Sequence, residues 1–452
     1  MERSASADHI VVLDDHDSLT QVIAANYAYS VGADLILIPQ RDDSVRDDVY
    51  VDIDTRGAHR GEDRGACAVE RLQAWRSLLE PCLRFGPRKF VTFITRGTPY
   101  GYFYRDAPST HLFSYPNLGE VINAGIYWAT KEPFVSAAVL IDPGYFPQSE
   151  TPAVSSSLKS DGVCVFEVLG DKTNVENVEL FVKAFPYDLL FICSHCGELG
   201  GERLTIRVHD AEGAAHTIVI EEAVQFGSTR FGANSEKMVQ LYQLLHPLSI
   251  DGVDWHAAGQ ELTQQIGAIW DYLRNTPREK WEELCREKVK HVPHSTAIKL
   301  KQGALMLNMV QVIDPRVSPI IFNNSCSSFY EAAHTLTFAG ARAYIGTLAS
   351  VEALPAQQVA ETVFTGSQRA ESLPLALAKA QEQVFPDPED RTYVHVGCHF
   401  TAIRPPMADA SVMVKRRIRE AKDDWQSSLK DAEPRTKENI MEFIRFLSVF
   451  PT

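Results

Sequence analysis

Short apolar runs that are continuous rather than alternating punctuate this chain, and stretches with helical periodicity separate them. The runs predict strands at Ile10 to Leu13, Leu35 to Ile38, Phe90 to Ile94, Val135 to Ile141 and Val163 to Val168. Four more follow, at Leu189 to Cys193, Pro319 to Phe322, Ala343 to Leu348 and Tyr393 to Val396. Continuous apolar strands are those covered on both faces, as in parallel sheets. Between them 19–29, 175–184, 330–338, 356–364 and 375–383 read as helices. Such alternation predicts an α/β fold with a mostly parallel sheet. Across 235–309 apolar residues recur at helical spacing, which predicts a helical insertion. The charge-dense segment 42–64 and the Ser- and Pro-rich segment 148–160 read as exposed connections, and 415–451 as a surface helix pair.

Composition narrows the function classes. A chain of 452 residues has length for two or three domains, and a net charge of −15 lacks the basic field that phosphate backbones require. No apolar stretch of about 18 residues predicts a membrane span, and the start lacks the apolar core of a secretory signal. A cytoplasmic protein with neither membrane nor nucleic-acid partner is expected. Eight cysteines dispersed over so long a chain read as thiols in a reducing compartment. Neither a P-loop nor a G-x-G-x-x-G follows any predicted strand, and no G-x-S-x-G elbow is present.

Cys326 stands between the apolar run Ile320-Ile321-Phe322 and a predicted helix start at Ser328 to Glu331. Ser328 and Glu331 have the spacing of a capping box, and Gly340 fits the position just past the helix end. A thiol on a strand-to-helix turn is exposed to the positive helix end, which favours the thiolate. His195 closes the run Leu189 to Ser194, so both residues fall at C-terminal strand ends, where open α/β sheets bind ligands. The glycines that follow His195 can present an amide to an oxyanion. Cys193, His195 and Cys196, with Cys398-His399, also fit a zinc site loosely. Strand alternation puts Cys193 and His195 on one face and Cys196 on the turn, so neither metal nor cofactor is expected. Asp14-Asp15-His16-Asp17 and Thr95 to Pro99 follow strands and read either as a ligand-facing edge or as plain loops.

Together these residues carry a family resemblance. The succession of an apolar strand, Ser194-His195, a Gly-rich turn, a strand into Asn324-Ser325-Cys326, a helix, and Ala339-Gly340-Ala341-Arg342-Ala343-Tyr344-Ile345-Gly346-Thr347-Leu348 resembles the CHAT proteases. Pro374 to Ala380 and a last strand ending in Gly397 extend the likeness, which spans about 134–405. These proteases belong to the caspase-like clan that includes separase and the gingipains. The resemblance implies a caspase-like three-layer sandwich over 131–405, carrying the helical insertion at about 235–309. It leaves an N-terminal α/β subdomain at 1–130, readable as a degenerate caspase-like half, and a C-terminal helical tail at 406–452. It implies a cysteine-type endopeptidase with a dyad of Cys326 as nucleophile and His195 as base and acid. Backbone amides of Gly197 and Cys326 would hold the oxyanion, and Ser325 and Glu352 would bind substrate. Glu352 stands where separase-like relatives carry an acid for a basic side chain. Two departures are visible: Cys196 intervenes between the histidine and Gly197, and the spacing from 195 to 326 is long for the family. Expected partners are a protein substrate and a regulatory partner or small-molecule activator, in a bacterial defence or cell-death system. The rival readings are a catalytically inactive caspase-like scaffold and a ligand-sensing protein.

Overall fold

The computed structural model describes residues 8–14, 17–40, 43–59, 62–85, 89–131, 133–209, 213–231, 236–254, 276–307, 310, 313–314 and 316–451. The chain begins with β1 (His9–Leu13), α1 (Ser18–Ser30), β2 (Asp34–Leu37), α2 (Asp43–Ala58) and α3 (Asp63–Leu79). It continues with β3 (Phe90–Thr95), α4 (Tyr100–Phe103), β4 (Ser109–Phe113) and α5 (Asn117–Thr130). Next come β5 (Ala137–Asp142), α6 (Thr151–Ser160), β6 (Cys164–Leu169), α7 (Val175–Ala184) and β7 (Leu189–Cys193). A run of strands follows: β8 (Cys196–Gly197), β9 (Gly201–His209), β10 (Ala215–Phe231), β11 (Glu236–Ile250) and β12 (Val253–Asp254). It closes with β13 (Glu282–Val289), β14 (Ala297–Lys299) and β15 (Ala304–Met306). The last part holds β16 (Ile320–Asn324), α8 (Tyr330–Phe338), β17 (Ala343–Thr347), α9 (Ala353–Thr365), α10 (Leu373–Val384) and β18 (Tyr393–Gly397). Two helices end it, α11 (Ala410–Ser428) and α12 (Pro434–Leu447).

Ten strands form one sheet in the order β2-β1-β3-β4-β18-β17-β16-β7-β5-β6. Every neighbouring pair is parallel except β17 with β18, so the sheet is two parallel halves running in opposite directions. All nine strands expected from the apolar runs are present, and β4 joins them. Their continuity has the cause expected, because successive side chains enter cores on opposite faces. Along β7, Leu190 and Ile192 pack in one cluster with α7 and α8, while Leu189, Phe191 and Cys193 pack in another with α6, α9 and α10. Along β1, Val11 and Leu13 turn toward α1 and α5.

Three expectations are corrected. Within 235–309 the described residues hold β11 to β15 and a 3-10 turn at Arg278–Lys280 but no α-helix, while 255–275 lie outside the described residues; β11 forms a long antiparallel hairpin with β10, and the five-stranded sheet runs β12-β11-β10-β9-β13. Spacing of the apolar positions alone suits either form. Buried Leu204, Ile206 and Val208 alternate along β9 and meet Ile218 and Ile220 of β10, and this cross-strand pairing decides the matter. Segment 42–64, expected as loop, contains α2 and the start of α3, whose buried Val49, Ile53 and Leu72 anchor charged helices on the sheet. Segment 148–160 holds α6, which buries Val154 and Leu158.

Candidate functional site

Register places the two candidate residues. β16 and β7 pair Phe322 with Phe191 and Asn324 with Cys193, so Cys326 and His195 each lie two residues beyond the last pair on neighbouring parallel strands. Both leave the same sheet edge; Cys326 is half-buried and His195 exposed. The turn at Cys326 is tight, with Ser327 in the left-handed region at φ +43°. That turn consumes the residues expected to start a helix, and the capping box does not form. Ser328 Oγ instead donates to Asn323 O at 3.2 Å and accepts from Thr347 N at 3.1 Å, tying β16 to β17. Phe329 takes the N-cap position of α8 without a side-chain cap, and Glu331 pairs with His294. Gly340 does follow α8, with φ +119°.

The Cys326 sulfur is held by the loop after β17. Val351 N–H donates to it at 3.4 Å, and the thiol donates to Val351 O at 3.5 Å. Glu352 is the next residue; it is exposed and stands at the N-cap position of α9 without a side-chain cap bond. His195 is braced through its carbonyl, which accepts from Lys299 N at 2.8 Å. Its ring lies against Phe146 and Tyr145, with centroids 4.9 and 5.3 Å away. Partial burial, and then the Lys299 charge, lower the imidazole pKa, so His195 is neutral near pH 7 and able to accept a proton. Cys196 forms β8 with Gly197, and burial pushes its thiol up to about 12, which makes it a poor nucleophile. β8 pairs with β14, and the bond from Lys299 to His195 sets the alternation of that ladder. Gly197 then falls in the hydrogen-bonding position opposite Ala297, so its amide points along the ladder.

A cavity of about 20 Å³ adjoins Cys326, walled by Phe146, Glu150, Asn324, Ser325 and Tyr393. Phe146 therefore touches His195 and the wall beside Cys326. Tyr393 OH donates to Asn324 Oδ1 at 2.5 Å, and Asn324 Nδ2 donates to the Glu150 carboxylate and to Ala356 O. Burial raises the Glu150 pKa, while the Asn324 bond opposes the shift. Ser325 Oγ is buried on this wall and has no hydrogen-bond partner among the described residues. Sequence reasoning selected Ser325 and missed Glu150, Asn324, Phe146 and Tyr393. The usable signal was position: Phe146 and Glu150 follow the C-terminal end of β5, on the same edge as His195.

The N-terminal half also reaches the site. Ser327 Oγ donates to Asp54 Oδ1 of α2 at 2.6 Å, and α2 approaches so closely at Gly57 that an added Cβ would meet Ala349 Cβ at 3.1 Å. Asp14 and Thr95 to Pro99 follow β1 and β3, which run against β16, so they leave the opposite sheet edge; residues 15 and 16 lie outside the described residues. Among the described residues, no three His, Cys, Asp or Glu side chains are grouped as a metal ion requires, and no helix is long and apolar enough to cross a membrane. No protein-family model and no curated protein matches this chain.

Proposed function

We propose that the chain is a caspase-like cysteine endopeptidase of the CHAT kind that cleaves a partner protein through Cys326 and His195. One observation carries this reading: the register of β16 on β7 brings both residues to the same level of one sheet edge. In the proposed reaction His195 takes the Cys326 proton and the sulfur attacks the scissile carbonyl. The tetrahedral intermediate then expels the amine, which receives that proton from His195. Water, deprotonated by the same imidazole, hydrolyses the thioacyl-enzyme and frees the thiol. The Cys326 amide is the proposed oxyanion donor, since Gly197 pairs with Ala297. Glu352 at the rim and Glu150 in the cavity wall favour a basic residue before the cut, with Ser325 lining its path.

A cavity of about 20 Å³ holds little more than one water. Movement of the 348–352 loop, which grips the sulfur, is therefore part of the proposal, and binding of a regulatory partner would supply it. A role in bacterial defence or cell death follows from the same resemblance.

The test is labelling of the intact chain with a peptidyl acyloxymethyl ketone carrying Arg or Lys next to the warhead, read by peptide mass spectrometry. Cys326 is expected to react at least about tenfold faster than the other seven cysteines, and His195→Ala to remove that advantage. Equal labelling of all eight cysteines, with and without cell extract that supplies partners, would leave the inactive-scaffold reading standing in its place.

A further inference from the structure

A second cavity, of about 60 Å³, opens on the other side of Tyr393 and is lined by Arg105, Ser109, His111, His395 and the pair of Arg391 with Glu382, which stand 4.0 Å apart. Its lining residues carry buried polar atoms with no hydrogen-bond partner among the described residues: Arg105 Nε and Nη2, His111 Nδ1 and His395 Nε2. Buried donors and acceptors are nearly always paired, so four unpaired atoms around one space require an explanation. Arg105 is the most costly of them. Its Nη1 donates to Arg391 O at 3.5 Å and its guanidinium lies over the Tyr102 ring at 5.0 Å. Among the described residues no carboxylate stands within ion-pair distance of it. Burial lowers its pKa to about 10, which still leaves a full positive charge at neutral pH.

The tautomers define the rest of the site. His111 and His395 are held neutral by burial, with pKa values lowered to about 4 and about 3. Gly101 N–H donates to His111 Nε2 at 3.1 Å, so the His111 proton sits on Nδ1, a donor that the His395 backbone draws on without closing a full hydrogen bond. Thr110 Oγ1 donates to Gly397 O at 2.7 Å and so accepts from His395 Nδ1 at 2.6 Å. His395 Nε2 is therefore an unused acceptor. The cavity thus offers a guanidinium fork, one neutral donor and one acceptor, in space for about four waters. That complement fits a tetrahedral oxyanion with several bare oxygens and one hydroxyl.

We propose that this cavity binds hydrogen phosphate, with Arg105 and His111 donating to its bare oxygens and His395 accepting from its hydroxyl. Sulfate has the same shape and no proton to donate at neutral pH, so the site discriminates against it. Bound phosphate would adjoin Tyr393, which lines both cavities and whose hydroxyl bonds Asn324 beside the Cys326 turn.

Thermal unfolding of the full chain, which needs no turnover and so stands apart from the peptidase reading, tests this. Inorganic phosphate at saturating concentration is expected to raise Tm by about 2 °C or more over chloride of equal ionic strength, with sulfate giving less than half as much. Glycerol 3-phosphate at pH 7.5, largely a dianion without a P–OH, should like sulfate give less than half the shift, and a shift equal to that of phosphate would overturn the role given to His395. Arg105→Met should abolish the shift, and Arg105→Lys should weaken binding roughly tenfold, as loss of the fork leaves only a point charge. If Arg105→Met does not fold, broadening of the inorganic phosphate phosphorus NMR line by the unmodified chain, and its persistence under equimolar sulfate, decide the question. An unshifted Tm, an equal response to sulfate, or a response that survives Arg105→Met would overturn the proposal.

Discussion

His195 is kept unprotonated by partial burial and by the Lys299 ammonium, and the sign of both effects is the same. Protonation of the imidazole therefore belongs below the ordinary value of about 6.5. The rate of Cys326 alkylation should be flat near pH 7 and fall only as pH drops below that value. Lys299→Met removes a like charge and should move this acid limb upward; an unmoved limb in that variant would show that His195 does not control the thiol. Cys326 and His195 were legible in the sequence because each closes an apolar run, and a strand end is a place where a side chain leaves the core. Glu150, Asn324 and Tyr393 were not, because their meeting depends on three strands and a helix side by side. No local pattern encodes such a contact.

At the scale of elements, α2 is the part of the N-terminal half that bears on the Cys326 turn. The bond from Ser327 to Asp54 crosses 273 positions of sequence and steadies a left-handed residue. Asp54→Ala and Ser327→Ala should each destabilise the chain by about 1 kcal/mol in urea unfolding, and the double variant should cost much less than their sum. Additive costs would show that the bond contributes nothing. Ser327→Gly, which accepts positive φ without strain, should keep Cys326 labelling close to that of the parent chain. α2 was hidden by its composition, since its few apolar residues sit among Asp and Arg and resemble a solvated loop until Val49 and Ile53 find the sheet. The β9–β13 sheet was hidden differently: its apolar spacing satisfies two periods, and only the pairing of distant strands chooses between them.

For the molecule as a whole, buried histidines make acid a hazard. His9 and His395 are lowered to about 3 and His111 to about 4, all chiefly by burial. The unfolded chain binds these protons at pH 6.5 and the folded chain does not. Stability should thus be fully present above pH 7 and fall as pH drops from 6.5 towards 3, each histidine adding up to about 1.4 kcal/mol per pH unit. Urea midpoints measured across that range check it, and a midpoint constant from pH 7 to pH 4.5 would contradict it. Fold class was the most legible property at this scale, because continuous apolar runs state which strands are covered twice. The reversal of strand direction between β17 and β18 was not legible, since a strand reads alike in either sense.

That reversal has a consequence in time. β18 enters the middle of the sheet, between β4 and β17, yet it is the last strand made. Until residues 393–397 leave the ribosome, both halves carry an unpaired inner edge. Synthesis at about 5–20 residues per second puts that moment on the order of tens of seconds after the first strand appears. During that interval β17, which pairs directly with the strand that leads into Cys326, has its other edge unpaired. Until then the nascent chain exposes two bare strand edges of the kind that invite wrong pairing, and its large sheet closes only when residues 393–397 enter it.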